Sequence, residues 1–158
     1  MDSMADENAS FIDERQFTVR RTIRISASIE KVWAAVTEPE NISQWFGRAK
    51  LDSFSVGATG SLTFPGQHSI PLRIEAIDEP HLVSYRWSND GASGEFPVEV
   101  DERSTVFTFT LEPLADGTRL TVVETGFDAT SDPAANMEFH RQGWDSELDK
   151  LVALVERA

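Results

Sequence analysis

Cysteine is absent from this 158-residue chain, which removes disulfides, thiolate catalysis and cysteine-ligated zinc in one step. A chain without disulfides suits a reducing compartment, so the expected location is the cytoplasm. No run approaches the roughly 20 apolar residues of a membrane span, and no basic-then-apolar leader opens the chain. A soluble, intracellular protein is expected. Positive charge is also scarce. Fourteen Lys and Arg stand against 27 Asp and Glu, a formal charge of −13, and such a field repels phosphate backbones and anionic lipid. Nucleic acid and membrane insertion are therefore not expected. Histidine occurs three times, at 68, 81 and 140, in no ligand spacing, and a metal site needs three or four converging ligands. There is neither a glycine-rich phosphate loop joining strand to helix nor a serine nucleophile elbow. The sequence implies no metal, no cofactor and no catalytic motif.

What is present is apolar and aromatic. Ten Phe and four Trp in a chain that is 40% hydrophobic describe one ordinary domain large enough to bury a core. Residues 1–15 are rich in acids and read as a disordered tail, leaving residues 16–158 as the folded domain. From Gln16 the pattern changes. Phe17, Val19, Ile23 and Ile25 alternate with polar residues, as a half-buried strand requires.

Ser28 is a plausible N-cap for a short helix carrying Ile29, Val32, Trp33 and Val36 on one face. Pro39 then opens a second, with Ile42, Trp45 and Phe46 apolar, closed by Gly47. Strand periodicity follows in Ser61–Phe64, in Ile70, Leu72, Ile74 and Ala76, and in Val83, Tyr85 and Trp87. Residues 88–101 break the pattern and read as a long loop. Phe107, Phe109 and Leu111 then face Leu120 and Val122 across a turn at Asp116-Gly117. Asp132-Pro133 caps a last helix running to about Glu156, with Met137, Trp144, Leu148, Leu151 and Val155 in one arc. Gly143 inside that helix is expected to mark close approach to the sheet or a bend.

The phrases Ile29-Glu-Lys-Val-Trp33, Gln44-Trp-Phe-Gly47, Leu82-Val-Ser-Tyr-Arg-Trp87, Gly117-Thr-Arg-Leu-Thr121, Gly126-Phe127 and Gly143-Trp144, in that order, are similar to one family. The chain resembles the bacterial relatives of the heat-shock-protein-90 ATPase activator, within the START-like, or Bet v 1-like, superfamily. That resemblance implies an α+β helix-grip fold. A six- or seven-stranded antiparallel sheet would wrap a long C-terminal helix, with a ligand cavity between. It carries no shared catalytic motif, so no catalytic residue is transferred.

In such a fold core and cavity wall are one surface. Trp45, Phe46, Tyr85, Trp87, Phe107, Phe109 and Trp144 are the expected lining for an apolar small molecule. Glu124 should join them, because Leu120, Val122 and Glu124 share a strand face. On the last helix His140 lies about 60° to one side of the apolar arc and Arg141 about 40° to the other. Three readings of these polar groups stay open. Glu124 pairs with His140, Arg141 or the Tyr85 hydroxyl to satisfy a buried carboxylate, these groups orient the polar end of a ligand, or Glu124 or His140 acts as a general base in a polyketide-cyclase-like reaction. At the level of function, a small-molecule-binding protein stands beside a chaperone-modulating interaction module and such an enzyme.

Overall fold

The computed structural model describes residues 9–157. Eight strands form a single antiparallel sheet: β1 (Phe11–Asp13), β2 (Thr18–Ile25), β3 (Arg48–Leu51), β4 (Thr59–Thr63), β5 (Ser69–Asp78), β6 (Leu82–Trp87), β7 (Thr105–Leu114) and β8 (Gly117–Thr125). Their order across the sheet is β1-β2-β8-β7-β6-β5-β4-β3. Helices α1 (Ile29–Thr37) and α2 (Pro39–Trp45) link β2 to β3, and α3 (Pro133–Val155) closes the chain. This is the α+β helix-grip arrangement. No described helix is long and apolar enough to cross a membrane.

The caps lie where the sequence places them. The Ser28 hydroxyl accepts from the Lys31 N–H at 3.2 Å, and the Asp132 carboxylate accepts from the Ala135 N–H at 3.2 Å. Each satisfies a first-turn donor that no helical carbonyl can reach. Met137, Trp144, Leu148, Leu151 and Val155 of α3 are buried. They meet the inward residues of β2, β6, β7 and β8, which alternate as a strand period of two requires.

Pairing of β7 with β8 is continuous from Leu114 opposite Gly117 to Val106 opposite Thr125. The parity of β8 is therefore unbroken, and Glu124 shares the buried side with Leu120 and Val122. Gly117 begins β8 against the Ile25 carbonyl, where an added Cβ would lie 2.1 Å from the oxygen. Only glycine fits that approach.

Two strands correct the sequence reading. The expected six or seven strands become eight, because β1 and β3 carry little periodic signal. Residues 11–13, assigned to the acidic tail, pair with β2. Just before them the Ser10 N–H donates to the Asp145 carboxylate at 3.0 Å, and its hydroxyl donates to the Arg141 carbonyl at 2.8 Å. Backbone pairing and two bonds to α3 hold a segment of three residues, too short to show a strand period. The rest of the expected tail, residues 1–8, lies outside the described residues. Strand β3 turns only Ala49 fully inward, and its pairing with β4 makes it the far edge of the sheet.

Arg21 occupies an inward position of β2 between Val19 and Ile23. Its guanidinium donates to the carbonyls of Trp144 (3.2 Å) and Asp145 (2.9 Å) and to the Asp149 carboxylate (2.9 Å). A planar fork of donors suits a row of helix carbonyls, so a charge on the core face clamps α3 to the sheet.

Candidate functional site

Helix α3 touches the sheet along one stripe and leaves a cleft of about 470 Å³ along another. Phe46, Phe64, Trp87, Phe139 and Trp144 give it aromatic walls, and Asn89, His140, Glu147 and Lys150 give it polar groups. Asn136, Phe139, Gly143, Glu147 and Lys150 fall within about 40° of Gly143 at 100° per residue, so they form one longitudinal strip of the helix. No Cβ contact lies within 4 Å of an alanine built at Gly143. The expected close approach to the sheet is absent there. Gly143 borders the cleft instead.

Beneath the cleft sits a buried charge pair. The Glu124 carboxylate has no exposed surface and accepts four donors. Oε2 receives the Trp87 indole N–H (2.8 Å) and the Thr105 hydroxyl (2.5 Å); Oε1 receives the Trp144 indole N–H (2.9 Å). His140 Nδ1 is 2.9 Å from both oxygens. On the other side of the ring, Nε2 is 2.9 Å from the Asn89 carbonyl. A carbonyl only accepts, and so does an ionised carboxylate, so both ring nitrogens donate and His140 is an imidazolium.

Burial by itself would push the Glu124 pKa up. The His140 charge and the bonds from His140, Thr105 and Trp87 outweigh it, and the carboxyl is held below its usual range. Burial likewise opposes charge on His140, but the Glu124 charge and bond, the Asn89 carbonyl and Asp90 raise its pKa. The site is thus a matched ion pair with every strong bonding position filled, the condition under which a buried pair is tolerated. Neither partner has a free lone pair or uncommitted proton to lend to a ligand.

The loop from residue 88 to 104 supplies the Asn89 carbonyl and is anchored by Asp90. That carboxylate accepts from the Ser131 N–H and hydroxyl (both 2.7 Å) and from the Asn136 side-chain amide (2.9 Å). Burial would raise its pKa; the bonds from Ser131 and Asn136 and the charge of Arg103 lower it. The expected long loop is therefore tied to the first turn of α3 at the level of the cleft. Farther along it, the exposed Phe96 stacks on His68 with ring centroids 3.8 Å apart. His68 and His81 are both exposed. Among the described residues no group of three His, Cys, Asp or Glu is disposed to hold a metal.

The structure divides the expected lining into two sets. Phe46, Trp87, His140 and Trp144 border the cleft. Trp45, Tyr85, Phe107 and Phe109 surround a void of only about 10 Å³, roughly one water at most, and are buried in the core, although Trp45 also borders a separate surface cleft of about 550 Å³ beside Gly47 and Thr63. Tyr85 is not a partner of Glu124: its hydroxyl donates to the Val36 carbonyl at 2.7 Å, and burial raises its pKa. Arg141 is not one either. It turns to the outer side of α3, where its guanidinium pairs with Glu138 at 2.6 Å and Asp145 at 3.4 Å. Of the three partners expected for Glu124, the structure supplies His140.

Sequence reasoning missed Trp87 and Trp144 as polar partners. The signal was there, because a buried indole N–H needs an acceptor and Glu124 was the inward carboxylate. Also missed were Glu147 and Lys150 at the rim, 2.9 Å apart. Burial raises the Glu147 pKa, against the opposing pull of Lys150. That Glu147 Oε1 approaches Lys150 Nζ without an aligned hydrogen bond marks the contact as an ion pair of poor geometry.

The family model described as activator of Hsp90 ATPase homolog 1-like protein matches residues 26–156. No curated protein matches the chain. Among solved structures, protein MLL2253 from Mesorhizobium loti is 26% identical with a TM-score of 0.76, over 89% of this chain and 98% of that one. CalU16 from Micromonospora echinospora is 20% identical, TM-score 0.68, over 94% of this chain and 83% of its own. The Aha1 dimer from Colwellia psychrerythraea is 18% identical, TM-score 0.69, over 88% and 96%. At such identities the last two share the fold.

Proposed function

The chain belongs to the activator of Hsp90 ATPase homolog 1-like family, and from that premise we propose that it binds an apolar or amphipathic small molecule in the cleft between α3 and the residue 88–104 loop. The observation that carries this reading is the cleft itself. Its volume of about 470 Å³ lies within the range of small-molecule sites, and aromatic walls with a few polar groups are their usual composition. The Glu124–His140 pair forms a rigid floor beneath it. With both groups committed to each other and to their neighbours, they support binding more than proton transfer. The charged groups in the lining occur as pairs of opposite sign, His140 with Glu124 and Lys150 with Glu147. Together with a net charge of −13, this favours a ligand whose apolar body is uncharged.

Titration with the neutral dye N-phenyl-1-naphthylamine tests the proposal. Binding beside Trp87 and Trp144 should quench tryptophan emission and enhance that of the dye. Phe139 lines the cleft yet is 60% exposed, so Phe139→Asp should weaken the dye at least tenfold while leaving the melting temperature within a few degrees. Failure of the dye and of medium-chain alcohols to bind the wild type at all would end this reading.

A further inference from the structure

Gly143 stands in the middle of a 23-residue helix, where glycine is less favourable than alanine by roughly 1 kcal/mol. Such a cost ordinarily has a steric reason. The close approaches at Gly60 and Gly117, where a Cβ would strike backbone at 1.9 and 2.1 Å, are reasons of that kind. Gly143 has none: a Cβ there meets nothing within 4 Å, and it is the neighbouring Trp144 and His140 that are buried under the helix. What a side chain at 143 would enter is the cleft, since Gly143 is one of its lining residues and the centre of the strip that runs from Asn136 to Lys150.

We infer that Gly143 is the specificity-determining residue of the cleft, keeping open the space into which the apolar body of the ligand packs against the backbone of α3. Resting on the binding reading above, the inference adds which residue sets the size of the ligand and where its body lies. Trp144 and Trp87 close that space from below, with ring centroids 6.1 Å apart. Phe139, one turn before Gly143, and Glu147, one turn after, bound it along the helix. A ligand with a ring-sized uncharged body fits between them. A larger residue at 143 fills the same volume.

The consequence is a separation of stability from binding that a structural glycine would not produce. Gly143→Ala should raise the melting temperature by about 2–4 °C, through helix propensity in a domain of this size. The same variant should bind N-phenyl-1-naphthylamine roughly threefold more weakly, one methyl being lost from the space available. Gly143→Leu should remain folded and lose affinity tenfold or more, while a short linear alcohol such as hexanol keeps more of its affinity than the dye. Dye binding unchanged in both variants, with the wild type binding normally, would overturn the inference and leave the binding reading standing. A fall in melting temperature for Gly143→Ala would overturn it as well, because it would reveal a packing role for the missing side chain. If the wild type binds neither probe, the binding reading itself fails.

Discussion

Replacing Glu124 by Gln should do two things that no surface substitution does together. First, it should cost stability heavily. The carboxylate accepts on Oε1 from Trp144 and on Oε2 from Trp87 and Thr105, with His140 bridging both oxygens. A glutamine amide presents one oxygen and one NH2 group, so whichever way it is turned one indole N–H loses its acceptor. An orphaned buried donor costs about 1–3 kcal/mol, and breaking a buried ion pair from one side costs about 3–5 kcal/mol in all. At roughly 2–4 °C per kcal/mol for a chain of this length, the melting temperature should fall by about 6–20 °C near neutral pH.

Second, the pH dependence should change sign. In the wild type the folded-state pKa of His140 is raised. Its contribution is therefore complete below the unfolded value of about 6.5 and declines as pH rises toward the folded value. Over that interval the folded state holds one more proton than the unfolded, and stability falls by about 1.4 kcal/mol per pH unit. The Glu124 pKa is lowered, so its contribution is complete above about 4.5 and is lost as the pH falls further. The pair is fully effective between the two, from about pH 4.5 to 6.5.

In Glu124→Gln the imidazole loses its counter-charge, and burial then favours the neutral ring. That contribution is present above about pH 6.5 and lost below it. The gap between wild type and variant should thus be largest at the acid end of that window, near pH 4.5, and narrow steadily as pH rises. Urea denaturation at half-unit steps from pH 5 to 8.5 measures the gap, and the His140 imidazole proton shifts by NMR identify the group. A gap that stays constant or widens above pH 6.5 would refute an imidazolium at this position.

Tyr85→Phe removes the donor to the Val36 carbonyl inside the core and should cost about 1–3 kcal/mol by urea denaturation, with dye affinity unchanged because Tyr85 does not line the cleft. Asp90→Ala frees Ser131 and Asn136 and should speed amide exchange in residues 88–104 well before global unfolding, detectable by mass spectrometry. It should also weaken dye binding, since Asn89 and Gly91 border the cleft.

How much of this was legible depends on what each residue's periodicity could encode. The central strands, both caps and the buried arc of α3 follow from period and cap chemistry alone, and the inward position of Glu124 follows from an unbroken strand period. Edge strands are a different matter. β1 is three residues held by backbone pairing and by Ser10, and β3 turns one small side chain fully inward, so neither leaves a hydrophobic rhythm to find. Arg21 shows the limit from the opposite direction. Period places it inward, but only the carbonyls of Trp144 and Asp145 on α3 explain how a guanidinium is tolerated there.

The site was half legible for a related reason. A strand or helix pattern tells which side of an element faces inward, but not where along that side the helix lifts away from the sheet. Trp45, Tyr85, Phe107 and Phe109 share the inward side with Trp87 and Trp144. The first four close to a void of about 10 Å³, while the last two border one of about 470 Å³. What separates them is the line along which α3 stands off the sheet, and Gly143 lies on that line with no neighbour to excuse it. A glycine in a helix was visible in the sequence as a cost. Only the surrounding space tells whether the cost belongs to packing or to a ligand, and here that space is an open cleft above a floor in which every strong hydrogen bond is already made.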